Sequence, residues 1–536
     1  MHTLRRWNGW GDESVAYPLP PRAAQFLENI LGPGVPQQDA TIEQVLRTVP
    51  DSHLSAHPLV SLDPIARIIH SRGQSFPDWV AMRSGRYDVF PDGVAFPLTN
   101  SDVCELIRYA KQTGARIIPY GGGTSVVGHI NPCESMFPVL TVDMGRMNRL
   151  LRFDEKSSLA TFGAGVSGPD LEAQLRARNC TLGHYPQSFE YSTLGGWVIT
   201  RSSGQQSLGY GRIEKLFAGG RMETPSGVLE LPPFPASAAG PDVREMVLGS
   251  EGRFGILTEA TVRVTPLPER EEFYALFFPN FELGQEAVRT MVCKWLPLSM
   301  LRLSTALETD IGLRMAGYER LISALEKVLS LRGLETDKCM LMVGCTGTEA
   351  LVKKTRKEVL SIANRYNGVH VGRSFGKQWY KNRFRAPYLR NTLWNMGYGV
   401  DTVETATTWS KVSDMVYSLG SALRDGLSDI GEKVYPFTHL SHVYSTGSSI
   451  YTTFLFRLAS DPNETLARWK KLKAAACNTI IAQGGTISHQ HGVGIDHMPY
   501  LKTEKGELGI AMIQHLCKKL DPEGILNPGK LVDSEN

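Results

Sequence analysis

Four histidines sit on two short stretches, His439-Leu440-Ser441-His442 and His489-Gln490-His491. Clustered imidazoles either ligate a metal or pass protons near neutral pH. The first pair has the HxxH spacing that brings two rings together on a helix, yet residues 449–456 just beyond it read as a strand. Polar active-site histidines are therefore the favoured reading, and no metal is assigned. Tyr451 alternates along that strand with Thr453 and Leu455, where a tyrosine serves packing unless something recruits its hydroxyl. Upstream, residues 377–394 (KQWYKNRFRAPYLRNTLW) interleave cations with aromatic rings, a texture that suits single-stranded nucleic acid. However, 57 Lys+Arg against 54 Asp+Glu leave a net charge of only +3, too little for phosphate-backbone binding. Arginines gripping a small anion through paired N–H bonds are the better expectation, with no nucleic-acid partner.

Four glycine-bearing stretches could lie close to a ligand. Pro119-Tyr120-Gly121-Gly122-Gly123-Thr124-Ser125 follows a short strand at 116–120 and would present consecutive N–H groups with no Cβ in the way. Without a lysine after the glycines it is not a Walker A loop. Gly163-Ala164-Gly165-Val166-Ser167-Gly168 is a literal GxGxxG after a strand at 158–162, with Glu190 further on, as in a dinucleotide fingerprint. Residues 182–211 then read as one long loop instead of a regular βαβ succession, so a tight strand-to-helix turn with Pro169 at the helix start is preferred. That loop carries hydroxyls on Ser188, Ser192, Thr193, Thr200, Ser202 and Ser203 and suits a large polar heteroaromatic ligand. Residues 249–264 (GSEGRFGILTEATVRV) run into another strand and could close the same cavity.

These segments need elements to hold them. A chain of 536 residues, 42% apolar and 21% charged, is an ordinary globular protein of about two to four domains. Residues 1–85 read as a mainly helical arm ending in an arginine-rich stretch from His70 to Arg86. Residues 86–268 form the first α/β domain and 269–480 the second, with Pro266 and Pro268 at the boundary; 481–536 hold the histidine loop and a closing helix. Asn100-Ser101-Asp102 can cap a helix whose apolar face is Val103, Leu106, Ile107 and Ala110, and residues 351–366 form a helix with a basic solvent face. Eight scattered cysteines without a CxxC are expected to be reduced thiols, and no stretch suits a membrane span or a signal peptide, which points to the cytoplasm. The ending Asp-Ser-Glu-Asn is not a peroxisomal address. Trp7 and Trp10 beside Arg5 and Arg6 either touch a membrane interface or anchor the arm to the body, the second being preferred.

Read together, PYGGGTS (119–125), QSFEYST (187–193), TRSS (200–203) and EGRFGIL (251–257) resemble the flavin-contacting segments of the vanillyl-alcohol-oxidase or PCMH-type FAD-binding family. The resemblance implies an α+β or α/β fold: two α/β subdomains holding FAD, the glycine loop on its pyrophosphate, an α/β substrate cap, and helical terminal segments. The implied cofactor residues are Pro119 to Ser125 as named above, Gln187, Ser188, Phe189, Glu190, Tyr191, Ser192 and Thr193. Thr200, Arg201, Ser202, Ser203, Glu251, Gly252, Arg253, Phe254, Gly255, Ile256 and Leu257 complete them. With no histidine in the glycine loop, FAD is expected to be non-covalent.

A wider set of segments resembles the alkyldihydroxyacetonephosphate synthase family over almost the whole chain: WNGWG (7–11), STLGGWVITRSSG, GSEGRFGILTEAT, YLR (388–390), SSIY (448–451), GGTISHQHGVG (484–494) and DPEGILNPGKL. Position by position, the resemblance makes Tyr451 the catalytic tyrosine and Arg390 a substrate-contacting arginine. His489 and His491 become the outer members of a triple-histidine motif whose middle position holds Gln490, which cannot titrate. The implied reaction exchanges the acyl group of acyl-dihydroxyacetone phosphate for a fatty alcohol through a flavin N5 adduct, with no net redox change. Tyr451 would move a proton with help from His489 and His491, while Arg390 holds substrate charge. Since an ordinary tyrosine titrates near about 10, that role demands a lowered pKa or a histidine partner. A homodimer acting on these small lipid substrates is expected, with peripheral membrane contact as an option. The alternative is an FAD-dependent D-2-hydroxy acid dehydrogenase or oxidase of D-lactate or glycolate type, which shares the element at 491–494. Its Gly-Asp-Gly-Asn segment, however, is replaced here by Val443-Tyr444-Ser445-Thr446-Gly447.

Overall fold

Proline and glycine break the first 85 residues into four short helices, Pro21–Leu31, Ile42–Leu46, Pro64–Ile69 and Phe76–Ser84, joined by extended segments. The arm is thus less helical than its apolar spacing predicts. It is also stitched into the body, because Val60–Ser61 pairs antiparallel with Gly93–Ala95. The structure, a computed structural model, describes residues 5–315 and 319–533; the ending Ser534, Glu535 and Asn536 lies outside the described residues.

The glycine loops belong to two sheets. The first runs Val60–Ser61, Gly93–Ala95, Val139–Asp143, Arg116–Tyr120, with the last three strands parallel. Parallel strands need a crossover, supplied between Gly93–Ala95 and Arg116–Tyr120 by the helix Asn100–Thr113. Its cap is Thr99, one residue earlier than the sequence reading, in a capping box with Asp102, and it buries Val103, Leu106, Ile107 and Ala110 as expected. The second sheet is antiparallel: Leu150–Asp154, Leu159–Gly163, Ile256–Arg263, Phe217–Thr224, Gly227–Leu231. The GxGxxG is the expected tight turn, entering the helix Gly168–Arg176 with Ser167 as cap and Pro169 in the first turn. Residues 182–211 are not one loop, since they contain the helices Leu194–Ile199, capped by Thr193, and Ser207–Tyr210.

The second half forms a seven-stranded sheet in the order Val369–His370, Arg270–Phe278, Cys339–Gly347, Met300–Ser304, Val434–Val443, Gly447–Arg457, Tyr398–Thr408. One face is covered by helices Phe281–Cys293, Glu349–Arg365, Trp409–Asp425 and Pro462–Ala482, which bury the largest hydrophobic cluster of the protein. In Glu349–Arg365 the buried side is Val352, Thr355, Val359 and Ile362, leaving Lys353, Lys354 and Lys357 in solvent. The opposite face carries the polar side chains of the site.

The Trp-bearing arm packs against the body. Trp10 is 5% exposed, its N–H and C=O are held by the Asn391 amide at 3.2 and 2.9 Å, and its ring meets Tyr191 edge-on at 5.6 Å. Gly11, at φ 82°, lies flat against the Tyr388 ring, where a Cβ would fall 2.3 Å from a ring carbon. Burying a tryptophan's roughly 200 Å² contributes about 5 kcal/mol. Trp10 is therefore committed to this pocket, Trp7 is half-buried on a neighbouring cluster, and the bilayer reading of these two rings is set aside. No helix among the described residues is long and apolar enough to cross a membrane.

Candidate active site

The strand Arg116–Tyr120 delivers the glycine loop to a cavity of about 280 Å³. Gly121, Gly122, Tyr191, Thr193, Gly165 and Ser167 line it, so both halves of the first domain contribute. A Cβ on Gly122 would lie 1.9 Å from the Tyr191 carbonyl oxygen, and Gly123 adopts φ 65°; only glycine permits this approach. Among the described residues no protein acceptor takes the N–H groups of Gly122, Gly123, Thr124 or Ser125. Consecutive free amides in a side-chain-free cradle fit an anionic diphosphate such as that of FAD. Arg5, from the arm, reaches the same cavity and donates to the Gly122 carbonyl at 2.6 Å.

The chemistry-bearing side chains share the polar face of the large sheet. Tyr451 stands directly opposite His439 on one neighbouring strand and Glu404 on the other. The Tyr451 and His439 rings stack 5.1 Å apart at 23°, and His491 meets Tyr451 edge-on at 5.6 Å. Burial pushes the Tyr451 hydroxyl up to about 12, the opposite of what a tyrosinate base requires. Arg390 is held by the Gln74 carbonyl at 2.7 Å and lies over the Trp79 ring at 4.5 Å. Its charge reaches Tyr451, and burial lowers its pKa.

Two buried carboxylates hold the histidine loop from opposite sides. Glu404 Oε1 accepts from Ser488 Oγ at 2.7 Å, Gln490 N at 3.1 Å and His491 N at 3.0 Å, and Oε2 accepts from His489 N at 2.7 Å. Glu251, from the flavin-side domain and at φ 52°, accepts from Val493 N at 2.6 Å and Gly494 N at 2.8 Å. Its carboxylate also lies 3.1 Å from His129, which meets Ser125 of the glycine loop at 2.8 Å. Glycine loop, Glu251 and histidine loop thus form one connected network.

The imidazoles differ in what they can do. Arg212 donates to His489 Nε2 at 3.0 Å and to its carbonyl at 2.8 Å, while Tyr444 Oη meets the same Nε2 at 2.6 Å. A guanidinium can only donate, so Nε2 is an acceptor and the His489 proton sits on Nδ1. Burial, the His442 ring stacked at 5.1 Å and Arg212 hold its pKa well below the ordinary value. His442 meets Ser203 at 3.3 Å and His184 meets Ser202 at 3.1 Å; burial, with Arg212 adding to it, holds both near about 3. Burial likewise lowers His491, against the pull of Glu404.

Most of the residues singled out in the sequence converge here, though not all face the cavity. Phe189, Phe254 and Leu257 lie in the core of the second sheet, Ile256 in that of the first, and Arg253 is spent on the Leu526 carbonyl at 2.6 Å. Gln187 bonds the Arg383 carbonyl at 2.7 Å, and Arg201 is tied to Glu245 and the Leu248 carbonyl. The cation–aromatic texture at 377–394 is internal packing, with Arg383 against Tyr185, Tyr380 and Phe384. His439 and His442 fall on a strand with an irregular register after Leu440, not on a helix. Glu404, Glu308 and Arg212 escape the sequence reading, because isolated charged residues carry no local signal.

Residues 91–231 match an FAD binding domain and residues 267–531 the C-terminal domain of FAD linked oxidases. The chain is 31% identical to an alkyldihydroxyacetonephosphate synthase from Trypanosoma brucei brucei, over 99% of its own length and 92% of the relative's. A solved structure of an alkyldihydroxyacetonephosphate synthase superposes with a TM-score of 0.84 at 28% identity, covering 98% of this chain and 99% of that one. A glycolate oxidase subunit from Bacillus subtilis (strain 168) is more distant, 24% identical over 83% of this chain and 90% of its own. The PCMH-type fold, the FAD cofactor and the near full-length likeness agree: this chain belongs to the alkyldihydroxyacetonephosphate synthase family.

Proposed function

We propose that the protein replaces the acyl group of acyl-dihydroxyacetone phosphate by a fatty alcohol, releasing a fatty acid. The observation that carries this reading is the row of Glu404, Tyr451 and His439 facing the clamped histidine loop, with Arg390 beside it. The Gly121–Gly123 cradle would hold FAD without a covalent bond, and FAD so held would supply a nucleophilic nitrogen for the exchange. The chain's own residues bind and handle protons. Among the described residues only the Gln74 carbonyl takes a hydrogen bond from Arg390, which leaves N–H donors for the negative charge of substrate or departing carboxylate. Tyr451, protonated across the working pH range, donates a hydrogen bond to an oxygen that gains charge. Gln490 cannot relay a proton, which leaves His489 and His491 as the imidazoles of that loop; His489, its Nε2 occupied, orients while His491 faces Tyr451. A cytoplasmic homodimer remains our reading of assembly and place, and any membrane contact falls to a surface other than the tryptophan arm.

The test is anaerobic turnover of the flavin-loaded protein. Palmitoyl-dihydroxyacetone phosphate plus hexadecanol should give an ether product and palmitate with the flavin still oxidised. Flavin bleaching by D-lactate or glycolate, without ether formation, would favour the hydroxy-acid alternative and overturn this reading. Tyr451→Phe should keep FAD and lose at least about 100-fold in turnover.

A further inference from the structure

Resting on the function just proposed, the site still lacks a proton acceptor. Tyr451 stays protonated, His489 has its acceptor nitrogen occupied, and His442 and His184 each meet a serine hydroxyl, Ser203 and Ser202. His491 faces Tyr451, but its Nδ1 lies 3.7 Å from Glu404, beyond a hydrogen bond.

His439 is differently placed. Its Nδ1 lies 2.9 and 3.0 Å from the two oxygens of Glu308, on the helix Ala306–Met315, and Arg302 from the adjacent strand bonds the same carboxylate. Arg302 also approaches Nδ1, at 3.3 Å, but both carboxylate contacts are shorter and a carboxylate can only accept, so Nδ1 carries the proton and the lone pair is on Nε2. Nε2 has no hydrogen-bond partner among the described residues, and it lies on the face that carries Tyr451, its stacked neighbour. A carboxylate fixing the tautomer of an imidazole and supporting the charge it gains is how proteins build a general base. Burial disfavours a charged pair, yet His439 and Arg302 hold the Glu308 carboxyl below its usual range, so the partner is anionic when needed.

We propose that His439, held by Glu308, is the proton acceptor of the reaction, with Tyr451 as the donor beside it. Nε2 takes the proton from the substrate carbon that bears the acyl oxygen. The electron pair of that C–H bond stays on the substrate, delocalised onto the adjacent ketone, and the imidazolium is balanced by Glu308. The imidazolium exchanges its proton with solvent and returns one to the carbon after carboxylate has left and the alcohol oxygen has bonded. The hydroxyl proton of the alcohol and the released carboxylate account for the acid product, so nothing is oxidised or reduced. Glu308 and Arg302 act through His439 as positioning residues.

The experiment follows exchange of that C–H with D2O in palmitoyl-dihydroxyacetone phosphate by NMR, alongside ether formation, in flavin-loaded parent, His439→Ala, His439→Gln and Glu308→Gln proteins. Both His439 variants should retain the flavin spectrum and lose at least about 100-fold in exchange and turnover. Added imidazole should restore about tenfold to His439→Ala but nothing to His439→Gln, whose side chain fills the site; Glu308→Gln should fall between. Exchange and turnover within threefold of the parent in His439→Ala would overturn the assignment. So would lost exchange that imidazole does not restore, or loss of bound flavin, because either makes His439 a structural or substrate-binding group. A parent protein that forms no ether product removes the proposed function itself and this assignment with it, a result distinct from a working parent with a working variant.

Discussion

Glu404→Gln isolates what the carboxylate beneath the histidine loop contributes. The side chain keeps its shape, but one oxygen becomes an NH2 group. Oε1 accepts three hydrogen bonds and Oε2 one, so the amide nitrogen is least harmful at the Oε2 position, facing the His489 N–H at 2.7 Å. That contact becomes donor against donor, which costs about 1–3 kcal/mol in a buried site. The other three bonds lose their charge assistance, roughly half their strength. A total near 3 kcal/mol is a conservative sum, equivalent to about a 100-fold change in an equilibrium constant. Hydrogen exchange of a peptide spanning residues 486–494, in the flavin-loaded protein, should therefore speed up about 100-fold. Turnover should fall between about 10- and 100-fold, the cost of a loop displaced by an ångström. Flavin binding should persist, because the Gly122–Ser125 amides are untouched. Loop protection and turnover both within threefold of the parent would refute the clamp, and with it the idea that this carboxylate sets the loop's shape.

Two further substitutions probe the electrostatics. Arg212→Met removes a guanidinium that helps hold His489 neutral, so the His489 pKa should rise toward its ordinary value; an NMR titration in which that resonance does not move would contradict the role given to Arg212. Asp496 is raised from 3.8 to about 7, chiefly by burial, with Asp401 and Asp78 adding to it and Lys473 opposing. In the unfolded chain it ionises near its ordinary value, so between about pH 4 and pH 7 the folded state holds the extra proton and loses about 1.4 kcal/mol of stability per pH unit. Asp496→Asn, which mimics the protonated acid, should raise the unfolding midpoint clearly at pH 8 and little at pH 4.5; equal effects at both would remove Asp496 as the source.

The local parts of this architecture are legible in the chain, and the long-range parts are not. The strand Arg116–Tyr120, its glycine loop and the helix Glu349–Arg365 follow from periodicity and punctuation within about 20 residues. The helices Leu194–Ile199 and Ser207–Tyr210 escape because they are too short for a period to emerge and each contains glycine, a poor helix former. Within the site, Tyr451 and the histidine loop stand out by residue type. Glu404 and Glu308 do not, since a lone acid on a strand or helix normally reads as a solvated position. Only strand register places Glu404 opposite Tyr451, and only packing of Ala306–Met315 over the sheet brings Glu308 to His439. The same limit explains Glu251, which the resemblance put among cofactor residues and which grips the histidine loop.

That grip has a mechanistic consequence. The histidine loop is fastened to the cap sheet through Glu404 and to the flavin-side domain through Glu251, with His129 and Ser125 continuing the contact to the glycine loop. Neither domain alone offers both carboxylates, so the loop takes its shape only when the two are docked. Docking also removes water, which is why the imidazoles above it are held neutral and the tyrosine protonated. A site of neutral acceptors, a neutral donor and one poised arginine favours moving protons to and from a carbon acid over stabilising a fixed ion. Exchange of one oxygen substituent for another makes that demand, since it begins and ends with the same charge on the carbon being exchanged. Hydride transfer from a hydroxy acid would need a base strong enough to take an alcohol proton as the hydride leaves. The imidazole supported by a carboxylate, His439, is in principle equal to that task, so under the proposed function the discrimination falls to how substrate charge is met, the role proposed for Arg390.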